Sequence, residues 1–562
     1  MRSRRLAIAL SLALLSAPRA LAADALVPDA FGRVGEGTIT PPGAPRLVVV
    51  LLFDQFRDDF LDRFREHFVA GGFRRVEREG TRFTDCNIPF AQTLTAPDHA
   101  TLLTGATPSV HGIVGNGWYE VAEGRDVSAD FDPRERAVGS DDQESSSPRR
   151  LRAQTVGDVL RGATRGRGKV IGISDKARAA ILPAGHHANA AYWLDDRTAR
   201  MQSSTYYMSR LPAWAVAANA GRRPEEARVT WTPLLPASAY AACVVGRGAP
   251  TFPHVVDKDG TIEGANAVAA TPFAVTNLFA FARQAIEGEE LGADGVPDLL
   301  TLSVSAPDRV GHLFGPDSPE AMDIAVRCDR EVASFLAYLD RRVGRGRYLV
   351  AVTSDHGCAT TESFARRFEA VSADSVGAIA DTSLVEWADG VLDRAMKPRR
   401  RVKQWIRAVG EGALWLDRDS LARAGVTVAA ASRTLADSAT TWPWLAAGFS
   451  GAELAAGLLD RPYAGAVARG YFPGRSGDVV FLARPFAYFG WGAHLRGDHG
   501  SPYRYDTHVP LVFFGAGVAH GVRREPVSTV DIAPTVAALI GIEPPAQCQG
   551  HALLEPPPSL RP

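Results

Sequence analysis

Residues 46–53 (RLVVVLLF) form an unbroken apolar run of strand length, and residues 58–69 after it carry helical spacing. A strand with no polar alternation must be covered on both faces. The same order recurs at 169–174, 299–305, 348–353 and 509–514, with helical segments such as 319–339 and 530–540 between them. It predicts an α/β fold, a largely parallel sheet sandwiched by helices. With 46% hydrophobic and 22% charged residues in 562, the chain can bury a large core, which excludes a disordered protein.

The rest of the chain is organised around that sheet. Arg2, Arg4 and Arg5 precede an apolar stretch at 6–15, and Ala20-Leu21-Ala22 offers a small-residue cleavage site, so residues 1–22 read as a signal peptide. The apolar stretch is too short for a stable membrane anchor. The expected protein is therefore periplasmic or secreted. A Pro-, Gly- and Ala-rich linker follows at 23–45, then a catalytic domain at 46–550 and a tail at 551–562. Residues 186–270 and 360–490 lose the strand-helix order and read as insertions capping the sheet edge; the basic run at 394–403 reads as a solvated face. A net charge of −1 excludes nucleic-acid binding through bulk positive charge. Cys86, Cys243, Cys328, Cys358 and Cys548 form no metal knuckle; they allow at most two disulfides and leave buried thiols equally open.

In open parallel sheets the site lies at the carboxyl ends of the strands. There the sequence places Asp54, then Asp308 with His312 four residues on, and Asp355-His356; a late Asp498-His499-Gly500 precedes the last strand. Each acid alone reads as a turn or cap residue. Together they supply the carboxylate and imidazole ligands that zinc prefers, enough for two sites of three ligands each. In 93–105 (TLTAPDHATLLTG), Pro97 suits a first helical turn, which sets the Thr95 hydroxyl at a helix N-terminus where an anion is favoured. The plainer reading of Thr95 is a helix cap.

These segments, with ATPSVHGIVGN at 106–116, SxSxxDxxGH at 303–312, TSDHG at 353–357 and DHGSPYRYDTHVPLVFFG at 498–515, resemble the alkaline phosphatase superfamily from about residue 45 to 550. Within it the chain is similar to phosphate-irrepressible bacterial alkaline phosphatases with a threonine nucleophile. Asn116 keeps that group's spacing from Thr95, and Lys176 and Arg178 match its Lys-x-Arg pair. The resemblance implies two Zn2+ ions, one on Asp308, His312 and His499, the other on Asp54, Asp355, His356 and a deprotonated Thr95. It also implies attack by Thr95 on phosphorus and a phosphothreonine intermediate.

Asn116, Lys176 and Arg178 would bind the outer oxygens of the substrate, a dianion that gains more from cations than a diester does. The expected partners are small-molecule phosphate monoesters, acted on by a monomer with no nucleic-acid partner and no membrane anchor. Asp98 departs from the glycine usual in the group and sets an acid beside an anion site; His99, His111 and His508 read as structural. Three alternatives are a nucleotide pyrophosphatase or phosphodiesterase of the same superfamily, a sulfatase, which the absence of a Cys- or Ser-x-Pro-x-Arg cassette disfavours, and a non-catalytic metal or phosphate binder.

Overall fold

The computed structural model describes residues 44–555 apart from 142–144, 196–197, 221–228, 246–250, 257–267, 361–364, 366–375, 399–401, 459 and 491–495. The expected signal peptide, most of the linker and part of the tail and of the basic run lie outside the described residues. An eleven-stranded sheet forms the centre. Its main strands are β1 (Leu47–Phe53), β2 (Thr81–Asn87), β3 (Val170–Ser174), β4 (Ala190–Leu194), β5 (Met201–Ser204), β6 (Asp298–Val304), β7 (Tyr348–Thr353), β8 (His508–Gly515) and β9 (Gly521–Arg523). They lie in the order β9-β2-β8-β7-β1-β6-β3-β4-β5. The run β7-β1-β6-β3-β4 is parallel throughout.

All seven residues of β1 are buried, and alternate ones enter different cores. Leu47, Val49, Leu51 and Phe53 pack with Phe279 and Phe281 of the helix Pro272–Gly288 and with Val332 and Phe335 of the helix Pro319–Leu339. Val48, Val50 and Leu52 face the other way, against Leu102, Val536 and Leu539. Two covered faces explain why the strand carries no polar residue, each buried side chain adding about 1.5–3 kcal/mol.

The structure departs from the sequence expectations in four places. β8 is antiparallel to both β7 and β2, because an apolar run shows that a strand is interior but not which way it points. Residues 58–69 break into a short helix, Asp59–Arg63, and a 3-10 turn, Arg65–His67, where Phe56, Phe60 and Phe64 pack as a row of rings and Phe68 meets Phe73. Residues 190–204 extend the sheet through β4 and β5 instead of lying over its edge. Residues 377–489 fold into a unit of their own. Four antiparallel strands, Ile406–Gly410, Ala413–Leu416, Val479–Ala483 and Leu445–Ser450, enclose a separate core with Leu384, Trp405, Leu435 and Phe481. All five cysteines carry free thiols. Among the described residues no helix is long and apolar enough to cross a membrane.

Candidate active site

The carboxyl end of the parallel strands gathers the predicted residues. Asp54 follows β1, Asp355 and His356 follow β7, and Asp308 and His312 sit one turn apart on α3 (Ala306–Phe314), the helix after β6, while α1 (Thr95–Thr104) begins with Thr95. Lys176 and Arg178 lie where β3 gives way to α2 (Ala177–Ala184). Gly172 lets α2 approach β3, since a Cβ there would stand 2.0 Å from the Ala180 carbonyl oxygen. His499 arrives from the loop before β8. Because β8 runs against its neighbours, the start of β8 lies beside the ends of the parallel strands.

Two groups of three ligand-bearing side chains result, Asp308 with His312 and His499, and Asp54 with Asp355 and His356. In the first, His312 Nε2 is 3.1 Å and His499 Nε2 3.7 Å from Asp308 Oδ1. In the second, His356 Nε2 lies 3.5 Å from Asp54 Oδ1 and 3.4 Å from Asp355 Oδ2. Tetrahedral zinc with bonds of about 2.0–2.1 Å needs ligand atoms about 3.3 Å apart.

Those three atoms of the second group are also buried without a hydrogen-bond partner. Each histidine presents Nε2 because its Nδ1 meets a backbone carbonyl: His312 that of Gly497 at 2.9 Å, His356 that of Gly357 at 3.0 Å, and His499 that of Thr93 at 2.6 Å. An imidazole tied at Nδ1 offers the lone pair of Nε2, the arrangement common to metal-binding histidines. The His356 and His499 rings stack at 3.6 Å and join the two groups. The donor set therefore fits two zinc ions.

The charges are tightly balanced. Burial, then the neighbouring Asp308 and Asp355, hold the Asp54 carboxyl well above its ordinary pKa. Burial opposes ionisation of Asp308 as well, yet Lys176 and His312 overcome it and hold its pKa well below the usual range. Lys176 Nζ bridges the groups, 2.6 Å from Asp54 Oδ2 and 2.6 Å from Asp308 Oδ2, and stands 3.5 Å from the Thr95 hydroxyl. Thr95 makes no capping bond, so the plainer reading of that residue does not apply. The Asn116 side-chain oxygen accepts the Ala96 N–H at 2.9 Å, which ties this residue to the N-terminus of α1 beside Thr95. Arg178 is partly buried and its Nε is without a partner.

Four supporting residues were not singled out as site residues in the sequence. Gln55 donates to Asp308 Oδ1 at 2.8 Å through its side chain and to Asp355 Oδ1 at 3.1 Å through its backbone. Thr93 supplies the carbonyl that orients His499. His99, expected to be structural, is buried 3.3 Å from Asp355 Oδ2 and 2.8 Å from Ser303 Oγ, so it stands directly behind the second group. Glu411 reaches in from the inserted unit. Asp98 is buried with neither carboxyl oxygen partnered; burial, and Asp355 after it, raise its pKa well above the ordinary value.

His508 lies against the Thr84 carbonyl, outside both groups. His111 shapes the loop leading to Asn116: Nδ1 accepts the Ile113 N–H at 3.1 Å and Nε2 pairs with Thr101 Oγ1 at 3.0 Å. Burial, with the charge of Arg475, lowers its pKa from 6.5 to about 3. An unfolded histidine takes up a proton near 6.5 and the folded one only near 3, so the stability it contributes is lost as the pH falls between those values. The slope reaches about 1.4 kcal/mol per pH unit. His111→Gln is expected to remove that increment, seen as a smaller drop in the urea midpoint between about pH 7 and pH 5.

The model of the type I phosphodiesterase / nucleotide pyrophosphatase family matches residues 48–501. The chain belongs to that family. It is 32% identical over 538 residues to alkaline phosphatase PafA of Elizabethkingia meningoseptica, covering 93% of this chain and 96% of that one. It is 34% identical to alkaline phosphatase PhoV of Synechococcus elongatus, with 91% and 92% covered. The crystal structure of wild-type PafA superposes with a TM-score of 0.83 at 31% identity, over 91% of this chain and 98% of that one. Murine ectonucleotide pyrophosphatase/phosphodiesterase 5 shares the fold, with a TM-score of 0.51 and 15% identity. The chain is thus a phosphoester hydrolase with an alkaline phosphatase fold.

Proposed function

We propose that the protein is an exported, monomeric, zinc-dependent alkaline phosphatase that hydrolyses small phosphate monoesters through a phosphothreonine intermediate. The observation that carries this reading is the Lys176 ammonium, set between the two carboxylate groups and 3.5 Å from the Thr95 hydroxyl. Asp308, His312 and His499 would hold one zinc ion and Asp54, Asp355, His356 and Thr95 the other, and the ions would supply positive charge for the attacking and leaving oxygens. Thr95 Oγ attacks phosphorus in line, expels the alcohol, and is freed when water cleaves the phosphothreonine. Helix α1 aims its N-terminus at the anion. Lys176, Arg178 and the Asn116 amide take the outer oxygens, where a monoester dianion places charge that a diester lacks. The relatives named alkaline phosphatases support the same choice.

The family description favours a second reading, a phosphodiesterase. Charge-assisted hydrogen bonds contribute about 1.5–3 kcal/mol each, so Lys176→Ala or Arg178→Ala is expected to lower kcat/KM on an aryl phosphate by about tenfold to a hundredfold. Activity on the matched methyl aryl diester should fall clearly less. Equal losses on both substrates would overturn the monoesterase reading and leave the diesterase standing.

A further inference from the structure

Glu411 occupies the tip of the hairpin that joins Ile406–Gly410 to Ala413–Leu416 in the inserted unit. Glu411 and Gly412 both have positive φ, 50° and 78°. Such a two-residue turn favours Asn or Gly at its first position, and a glutamate there is strained. The strain delivers a carboxyl to the phosphate-holding side chains. It lies against the backbone beside Asn116, and the Asn116 N–H and the Arg178 guanidinium both favour its charged form. Gly115 leaves the necessary room, since a Cβ there would lie 2.6 Å from Glu411 Oε2. The negative charges of Asp498, from the loop before β8, and Asp381, at the start of the helix Asp381–Met396, act on it in the opposite sense. Burial raises its pKa to about 8, with Arg178 acting against the rise, so the group carries charge in the alkaline range.

We propose that Glu411 is a specificity-determining residue: the inserted unit sets one acid among the donors to the outer phosphoryl oxygens, and this acid lowers the preference for a dianion over a monoanion. The inference rests on the assignment of Asn116 and Arg178 to those oxygens. Repulsion from a fixed carboxylate grows with ligand charge, so a dianion loses more than a monoanion.

The test is calorimetric binding of inorganic phosphate and of dimethyl phosphate to the metal-loaded protein at about pH 9, where phosphate is a dianion and dimethyl phosphate a monoanion. Glu411→Gln keeps the size and a side-chain oxygen at that position and removes the charge. It is expected to bind phosphate about tenfold more tightly than wild type, and dimethyl phosphate within about threefold of wild type. Glu411→Asp keeps the charge and is expected to retain the wild-type ratio of the two affinities. Equal shifts for both ligands, weaker phosphate binding in the glutamine variant, or an aspartate variant that behaves like the glutamine one would each overturn the proposal. Binding is read without turnover, so the outcome is independent of the rate comparison that tests the proposed function.

Discussion

Thr95→Ala is expected to lower kcat/KM on phosphate monoesters by about four to six orders of magnitude, the scale on which nucleophile replacements fall. The fold should barely register the change. Thr95 is buried at the first position of α1, its hydroxyl caps no backbone N–H, and Leu94 holds the cap position. Loss of a true threonine cap would cost about 1 kcal/mol, so a shift in the denaturation midpoint well below that amount, together with a collapse in rate, separates nucleophile from cap. Thr95→Ser keeps the oxygen and should retain a measurable part of the rate. Rapid quenching with labelled substrate should leave phosphate on residue 95; label on any other residue would refute the assignment.

Exhaustive chelation is expected to abolish turnover, and zinc to restore it, with about two ions bound per chain. It should also lower the melting temperature. Asp54, Asp308 and Asp355 are buried together, with the Lys176 ammonium bridging Asp54 and Asp308, and removing bound cations leaves those carboxylates short of positive charge. Asp308→Ala should remove activity while β6 and α3 persist, because Val304, Val310 and Phe314 hold them in the core without help from the carboxylate. Full activity in protein shown by elemental analysis to be metal-free would sink the mechanism.

Much of the site was legible because its chemistry sits at regular places in the chain. An acid just after an apolar strand is conspicuous, and Asp54, Asp308 and Asp355 each follow one. Gln55 and Thr93 carry no comparable signal, although Gln55 adjoins Asp54 and Thr93 lies two residues before Thr95. Gln55 acts through a side chain and backbone turned by a positive φ of 61°, and Thr93 through its carbonyl oxygen, which every residue possesses. The unit at 377–489 was hidden for a different reason. Its strands are three to six residues long and Ala- and Gly-rich, too short for a period to show.

The sequence by itself determined that several strands are buried on both faces, that they alternate with helices, and which carboxylates and imidazoles stand at their ends. These follow from local patterns, apolar runs and the residues next to them. Only the tertiary structure decided that β8 runs antiparallel, and with it that His499, which precedes its strand, meets Asp308 and His312, which follow theirs. Only the tertiary structure brought Glu411 to Asn116 from a separate core nearly three hundred residues away in the chain. Strand direction and long-range approach depend on how the faces of different elements bury one another, and no window of sequence contains both partners.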